Sequence, residues 1–201
     1  MSSTVTASKG YTLAELLAVL AILAIAVAVT LPAAAEIRDA GRAAAGARVM
    51  AALFSAERWK GVTGGRSIGF QFRSTASGWT WREVADGNGN GLRSAEIVRG
   101  IDAVVAPDTS LERAVPRVSL GFPPGGPYPE APPGTGVVGA GDAPVRFGRS
   151  TIVSFSPVGS ATSGTLYVTD GRSGLYAVVL FGPTARLRVW RWDRREKRWT
   201  L

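Results

Sequence analysis

From Leu16 to Ala35 the chain runs for twenty residues without a charge, and a helix needs about that many to cross the hydrocarbon core of a bilayer. The apolar residues surround every face of such a helix and form no stripe, which suits burial in lipid or in a bundle. Alanine and leucine dominate the run and favour helix, while Pro32 predicts a kink or break near its end. Beyond Pro32, AAAEIRDAGRAAAGARVMAALFSAERW keeps helix formers and spaces Ile37, Val49 and Leu53 loosely at helical intervals. One long helix is expected over 11–60, from about Tyr11 to Trp59, membrane-spanning over about 13–35 and amphipathic in its second half.

One carboxylate, Glu15, stands close to the start of the apolar run. A charge so near the membrane costs on the order of a few kcal/mol unless it is paired. An ordinary secretory signal would be cut after Ala35, since Ala33 and Ala35 form an A-x-A site, and a plain membrane anchor would not be cut at all. Neither accounts for Glu15.

The stretch KGYTLAELLAVLAILAIAVAVTLP, Lys9 to Pro32, resembles the class III signal of type IV pilins and type II secretion pseudopilins. In that family a short polar leader ends in glycine, followed by an aromatic residue, Thr-Leu-x-Glu and about twenty apolar residues. Gly10, Tyr11, Thr12, Leu13 and Glu15 match in order, with Tyr11 where phenylalanine is more usual. The resemblance implies that residues 1–10 are a leader, cut by a prepilin peptidase between Gly10 and Tyr11, and that the new Tyr11 amine is N-methylated. It also makes Glu15 and Pro32 assembly residues, Glu15 neutralising the amine of a neighbouring subunit. A buried charge is tolerable chiefly when paired, so this role gives the carboxylate a physical reason to be there.

Composition narrows the rest. The 201 residues suit one membrane segment and one modest soluble domain, and a chain of this size buries a core without covalent help. Cysteine and histidine are both absent. The first absence excludes a disulfide framework; the second removes the commonest general base and transition-metal ligand. No G-x-S-x-G elbow appears, and the serines around Ser156 have no histidine to activate them. We therefore expect a protein without enzymatic activity or cofactor. The net charge of +8 points towards anionic partners such as nucleic acid or lipid headgroups.

After Trp59 the period changes. RSIGFQFR places Ile68, Phe70 and Phe72 on one face, and GWTWREV does the same for Trp79 and Trp81, which is the strand period. STIVSFSPVG, GTLYVTD, GLYAVVLF and ARLRVWRW then read as an antiparallel meander, with DGRSG as the hairpin turn between Val168 and Leu175. Between these blocks, thirteen of the twenty-three residues 121–143 are glycine or proline, so an irregular, mobile surface loop is expected there. The fold class is α+β, with the long helix packed on an antiparallel sheet domain over 61–201.

SFSPVGSATSGTLYV, Ser154 to Val168, resembles the soluble domain of GspH/FimT-type minor pilins and pseudopilins. Their Phe-x-Pro-x-Gly-x-x-x-x-Gly-Thr motif is met by Phe155, Pro157, Gly159, Gly164 and Thr165. With the N-terminal signal, the resemblance covers nearly the whole chain except the Gly/Pro-rich insert. It implies a subunit at or near the tip of a pilus or pseudopilus, anchored once in the bacterial inner membrane with its C-terminal domain in the periplasm. The implied partners are other major and minor pilins, the prepilin peptidase and an inner-membrane assembly platform.

Two segments carry candidate binding chemistry. In DGNGNGLRSAE, Asp86, Asn88, Asn90 and Gly91 fit the first half of a calcium loop, yet position twelve is Ile97 where a bidentate carboxylate belongs, and Glu96 falls one residue short. The competing reading is a polar turn whose glycines and asparagines accept positive φ. At the C-terminus, Arg186, Arg188, Arg191, Arg194, Arg195, Lys197 and Arg198 stand against Asp193 and Glu196. If the strand continues, Arg186, Arg188, Trp190, Trp192 and Arg194 share a face, offering guanidinium forks to phosphates and indole rings to unstacked bases. FimT-like proteins bind DNA through a Gly-Arg-x-Arg element, and Ala185-Arg186-Leu187-Arg188 keeps its arginines but not its glycine. The alternative role is thus capture of DNA during uptake. The competing structural reading is a solvated edge strand whose charges prevent aggregation and whose tryptophans cap the core.

Overall fold

The computed structural model describes residues 13–148 and 150–201, except for the side chains of 29–40. Contacts divide the chain into two units, 1–38 and 39–201.

Helix α1 spans Leu13–Gly64. It continues through Pro32 without interruption, so of the kink or break predicted there the break does not occur; proline's fixed φ is itself helical, and what it forgoes is one backbone hydrogen bond. In the first unit, Leu13, Leu16, Leu20, Ile22 and Ile25 are all more than half exposed, as expected for a helix apolar on every side. Among the described residues no helix is long and apolar enough to cross a membrane. The described side chains of the run end at Ala28, and sixteen helical residues from Leu13 rise only about 24 Å, less than the ~30 Å hydrocarbon core. Tyr11 and the side chains of the predicted span beyond Ala28 lie outside the described residues.

In the second unit the helix turns amphipathic. Ala43, Ala47, Met50, Phe54, Glu57 and Gly61 are buried at intervals of three and four, which sets one stripe along the helix. Val49 and Leu53, noted in the sequence for their loose helical spacing, flank that stripe and are only partly buried. The stripe packs on two antiparallel sheets. The first contains β1 (Ile68–Thr75), β2 (Gly78–Ala85), β3 (Ala103–Val104) and β4 (Thr109–Ser110). Short helix α2 (Ser94–Val98) lies between β2 and β3, and α3 (Leu111–Ala114) follows β4 on the way to the second sheet. The second sheet uses β5 (Ser119–Leu120), and a separate ribbon pairs β6 (Tyr128–Pro129) with β7 (Val137–Val138). Then follow β8 (Val145–Phe147), β9 (Ile152–Phe155), β10 (Gly164–Thr169), β11 (Leu175–Phe181), β12 (Arg186–Asp193) and β13 (Arg198–Thr200).

The first sheet is ordered β3-β2-β1-β9, with β4 also on β2; the second is β13-β12-β11-β10-β5, with β8 also on β10. The meander expected from 150 onwards therefore begins only at β10. Strand β9 pairs antiparallel with β1 from Ile68↔Phe155 to Gln71↔Ile152, so the chain changes sheets between 155 and 164. The Phe-x-Pro-x-Gly motif makes that crossing. Phe155 is fully buried, Gly159 takes φ +84, and Gly164 opens β10 where a Cβ would come within 2.3 Å of the Arg146 carbonyl oxygen. Only glycine serves at both places. DGRSG forms the predicted turn, Asp170 Oδ1 accepting from the backbone N–H groups of Arg172, Ser173 and Gly174 at 2.9 Å each.

The core between helix and sheets centres on Phe54, whose ring lies 5.8–6.5 Å from those of Phe70, Phe72, Phe147 and Phe155. Gly46 lets α1 approach the second sheet closely: a Cβ there would sit 2.6 Å from Val118 Cγ1 and 3.1 Å from Val168 Cγ1.

The Gly/Pro-rich segment differs from expectation. It straps the far face of the second sheet, burying Tyr128, Ala131 and Val138 against Tyr167, Leu175, Ala177 and Val179, with Phe122, Trp190, Trp192 and Trp199 packed alongside. Trp199 donates its indole N–H to the Pro129 carbonyl at 2.9 Å, the Tyr167 hydroxyl accepts from the Ala131 N–H at 3.2 Å, and Arg146 pairs with Glu130 at 2.8 Å. Proline stiffens the strap and aromatic contacts fasten it, so the high glycine content does not leave it loose.

Candidate functional site

Gly10 and Tyr11, the predicted processing residues, lie outside the described residues. Glu15 stands in the first turn of α1, where an acidic side chain complements the positive end of the helix dipole. It is exposed. Pro32 lies within α1, its side chain outside the described residues.

The 86–96 loop folds around its own carboxylates. Asp86 accepts from the backbone N–H groups of Asn88 (3.0 Å), Gly89 (2.8 Å) and Gly91 (2.7 Å). Burial works against its charge, but these donors outweigh burial and hold its pKa below the ordinary aspartate range. Glu96 accepts from the side-chain amides of Asn88 and Asn90 at 3.2 and 3.0 Å. Asp102, fully buried and not singled out by the motif, accepts from the backbone N–H groups of Gly87 and Arg93 at 3.3 and 2.9 Å. Among the described residues no group of three or more carboxylates is placed to hold a metal ion. The glycines do the work expected of a polar turn, with φ +80 at Gly89 and +86 at Gly91.

The C-terminal strand divides the predicted basic-aromatic face. Strand β12 pairs with β11 from Phe181↔Arg186 to Tyr176↔Arg191, so Arg186, Arg188, Trp190 and Trp192 share the outer face and Leu187, Val189 and Arg191 the opposite one. Arg191 is therefore not part of the predicted surface; it lies 3.9 Å from Asp193. The strand stops at Asp193, whose Oδ1 accepts from the N–H groups of Arg195 and Glu196 at 2.9 and 3.1 Å. That cap puts Arg194 and Arg195 in a turn rather than on the strand face.

The indoles are not laid open for stacking. Trp192 meets Tyr128 edge-on at 5.7 Å and Trp199 at 5.4 Å, while the Trp190 N–H is buried without a hydrogen-bond partner. They cap a second apolar cluster, as the structural reading expected. Arg186 and Arg188 remain exposed. They line one side of a cleft of ≈ 320 Å³ whose other walls are Pro132, Pro133, Val179 and Phe181. Ala185, at the position where the resembled element has glycine, adopts the left-handed conformation at φ 47, ψ 33, which explains why glycine suits that place.

Sequence reasoning missed a second aromatic and basic surface on α1. Trp59 is 70% exposed and stands between two clefts. One, of ≈ 540 Å³, is lined by Ser55, Arg58, Trp59, Thr184, Ala185, Arg186 and Leu187. The other, of ≈ 340 Å³, is lined by Arg58, Trp59, Val62, Pro157, Val158 and Gly159. The signal was present in the helical period: with Met50, Phe54 and Glu57 facing inward, Arg58 and Trp59 must turn away.

Comparison with known proteins adds one match: residues 6–31 fit the prokaryotic N-terminal methylation motif. No curated protein and no solved structure matches the chain. The matched segment contains Gly10, Tyr11 and Glu15, so the chain carries a type IV pilin-like prepilin signal. A signal of this kind implies processing by a prepilin peptidase, as in pilin-like and pseudopilin-like proteins.

Proposed function

We propose that this chain is a minor pseudopilin or pilin of the GspH/FimT type, a non-enzymatic structural subunit of a type II secretion pseudopilus or a type IV pilus, assembled at or near the filament tip. The observation that carries the reading is the prepilin signal over residues 6–31. Support comes from a helix of 52 residues whose later half buries a stripe on antiparallel sheets. In this reading the leader 1–10 is removed, the methylated Tyr11 amine becomes the partner of Glu15 on a neighbouring subunit, and the apolar run holds the chain in the inner membrane with residues 61–201 in the periplasm. Other pilins and the assembly platform are its partners.

Mass spectrometry of the mature N-terminus tests the processing: we expect a chain beginning at N-methyl-Tyr11, and a product beginning at Glu36 would return the segment to an ordinary secretory signal. Glu15→Ala tests the assembly role. The variant should insert and be cleaved yet enter filaments poorly, and normal incorporation would remove the counter-ion role. The DNA-capture role retains exposed Arg186 and Arg188 but loses the indoles as stacking platforms, which leaves the structural subunit as the preferred reading.

A further inference from the structure

The second sheet has a strand edge that is only half covered. Strand β12 runs Arg186–Asp193, but β13 pairs with it only at Arg191, Trp192 and Asp193. On the side away from β11, no described backbone group pairs with residues 186–190. An edge of this kind presents unpaired N–H and C=O groups at alternate residues.

Clefts lie on both faces of that open edge. On the helix side is the ≈ 540 Å³ cleft containing Arg58, Trp59 and Leu187; on the strap side is the ≈ 320 Å³ cleft containing Pro133, Phe181 and Arg188. Arg186 lines both. No carboxylate lines either cleft, and among the described residues Arg58, Arg186 and Arg188 form no ion pair. Trp59 and Phe181 are more than half exposed beside these guanidinium groups.

We infer that residues 186–190 accept an extended polypeptide segment as an added strand, and that the segment carries acidic and apolar side chains. Backbone pairing would supply the affinity common to any sequence, while alternate side chains would enter the two clefts. The three arginines select carboxylates, and the aliphatic and proline walls receive the apolar side chains. A nucleic acid could use the arginines but not the open backbone edge. The inference uses only the second unit and does not depend on the pilin reading.

The probe is a fluorescein-labelled peptide of repeated Glu-Val, titrated against the full-length chain in a non-ionic detergent at low salt. We expect binding accompanied by slowed hydrogen exchange at outward-facing amides within 186–190. A peptide of repeated Lys-Val should not bind. N-methylation along the peptide's pairing edge should weaken binding by at least about tenfold, because it removes backbone donors without altering charge. Arg186→Gln with Arg188→Gln should weaken it by a similar factor, and the exposed Trp59→Ser, chosen to leave the fold intact, should weaken it less. Several results would overturn the inference: no binding, unchanged exchange at 186–190, equal affinity of the N-methylated peptide, or an oligothymidylate that displaces the peptide and protects the same amides. Self-association of the double arginine variant without peptide binding by the parent would also overturn it, leaving the arginines as guards of the edge.

Discussion

The two faces of the second sheet are covered in opposite ways. Leu166, Val168, Val178 and Leu180 point to the side where α1 lies, in a core that includes Met50 and Phe54. Tyr167, Leu175, Ala177 and Val179 point to the other side, beneath a strap with thirteen glycines and prolines in 121–143. A regular helix supplies a continuous apolar stripe from backbone periodicity alone. The strap has no such periodicity and reaches the same burial with a few anchors: Phe122, Tyr128, Val138 and the tryptophans of β12 and β13. The difference shows that covering a sheet requires correctly placed apolar groups and satisfied backbone, not regular structure in the cover.

The comparison breaks most severely at Phe54. Phe54→Ala should cost about 3–5 kcal/mol, because the ring is fully buried among four other phenylalanines. Chemical denaturation of the detergent-solubilised chain measures the loss. A cost below about 1 kcal/mol would mean that the helix side is not the principal core.

Tyr128→Ala makes the matching cut in the strap. The side chain is 4% exposed, packs edge-on to Trp192, and donates its hydroxyl to the carbonyls of Pro123 and Pro124 at 3.2 and 3.0 Å. We expect a loss of about 2–3 kcal/mol, smaller than at Phe54 because the strap can detach while the helix-side core persists. Tryptophan emission should shift red as Trp190, Trp192 and Trp199 gain water. An unchanged emission maximum would show that the strap does not seal this face.

How far these two covers could be read in advance follows from the same contrast. The inner cover was legible because Ala43, Ala47, Met50 and Phe54 repeat at helical spacing, and strands such as GFQF and GWTW alternate. The outer cover left only an indirect sign. LYAVVLF in β11 does not alternate with polar residues, and a strand of that kind is buried on both faces, so something had to cover the second one. Composition favoured a mobile loop because glycine and proline report the local backbone and are silent about distant aromatic partners. At the candidate sites, the arginines of β12 were legible but their separation was not. Asp193 ended the strand early by capping a turn, and burial of the indoles depended on a segment far upstream, with Trp199 and its partner Pro129 separated by 70 residues. The turn around Asp86 was visible in its glycines and asparagines, whereas Asp102 joined it only through tertiary structure.

Charge sharpens the comparison further, since the helix side contains a polar exception. Glu57 is 2% exposed, with Lys60 2.6 Å from one of its oxygens and the same ammonium 3.0 Å from Glu83 on β2. Burial raises the Glu57 pKa, the Lys60 hydrogen bond opposes that rise, and the charge of Glu83 adds to it. A carboxyl group whose pKa is higher in the folded state binds protons more tightly there. Its contribution to stability is therefore fullest below the ordinary glutamate pKa and is lost as pH rises towards the folded value. Stability of the parent should fall across that window, and Glu57→Gln should flatten this part of the profile. Denaturation midpoints measured from mildly acidic to neutral pH provide the check; an identical slope in both proteins would exclude Glu57 as its source.

The smallest expected effect lies in the hairpin that brings Trp199 onto the strap side. Lys197 ends the Asp193 turn at φ 48, a left-handed conformation that costs a residue with a Cβ roughly 1–2 kcal/mol. Glycine removes that strain but gives the unfolded chain more freedom to lose, about 0.5–1 kcal/mol. The balance favours Lys197→Gly by up to about 1 kcal/mol, seen as a slightly higher Tm. Because Lys197 is exposed while Trp192 and Trp199 of this hairpin pack on the outer cluster, the gain should persist in the Phe54→Ala background and diminish in Tyr128→Ala, where the strap no longer holds these indoles in place. Equal gains in both backgrounds would mean that the hairpin and strap are energetically independent, despite the 2.9 Å bond from Trp199 to Pro129.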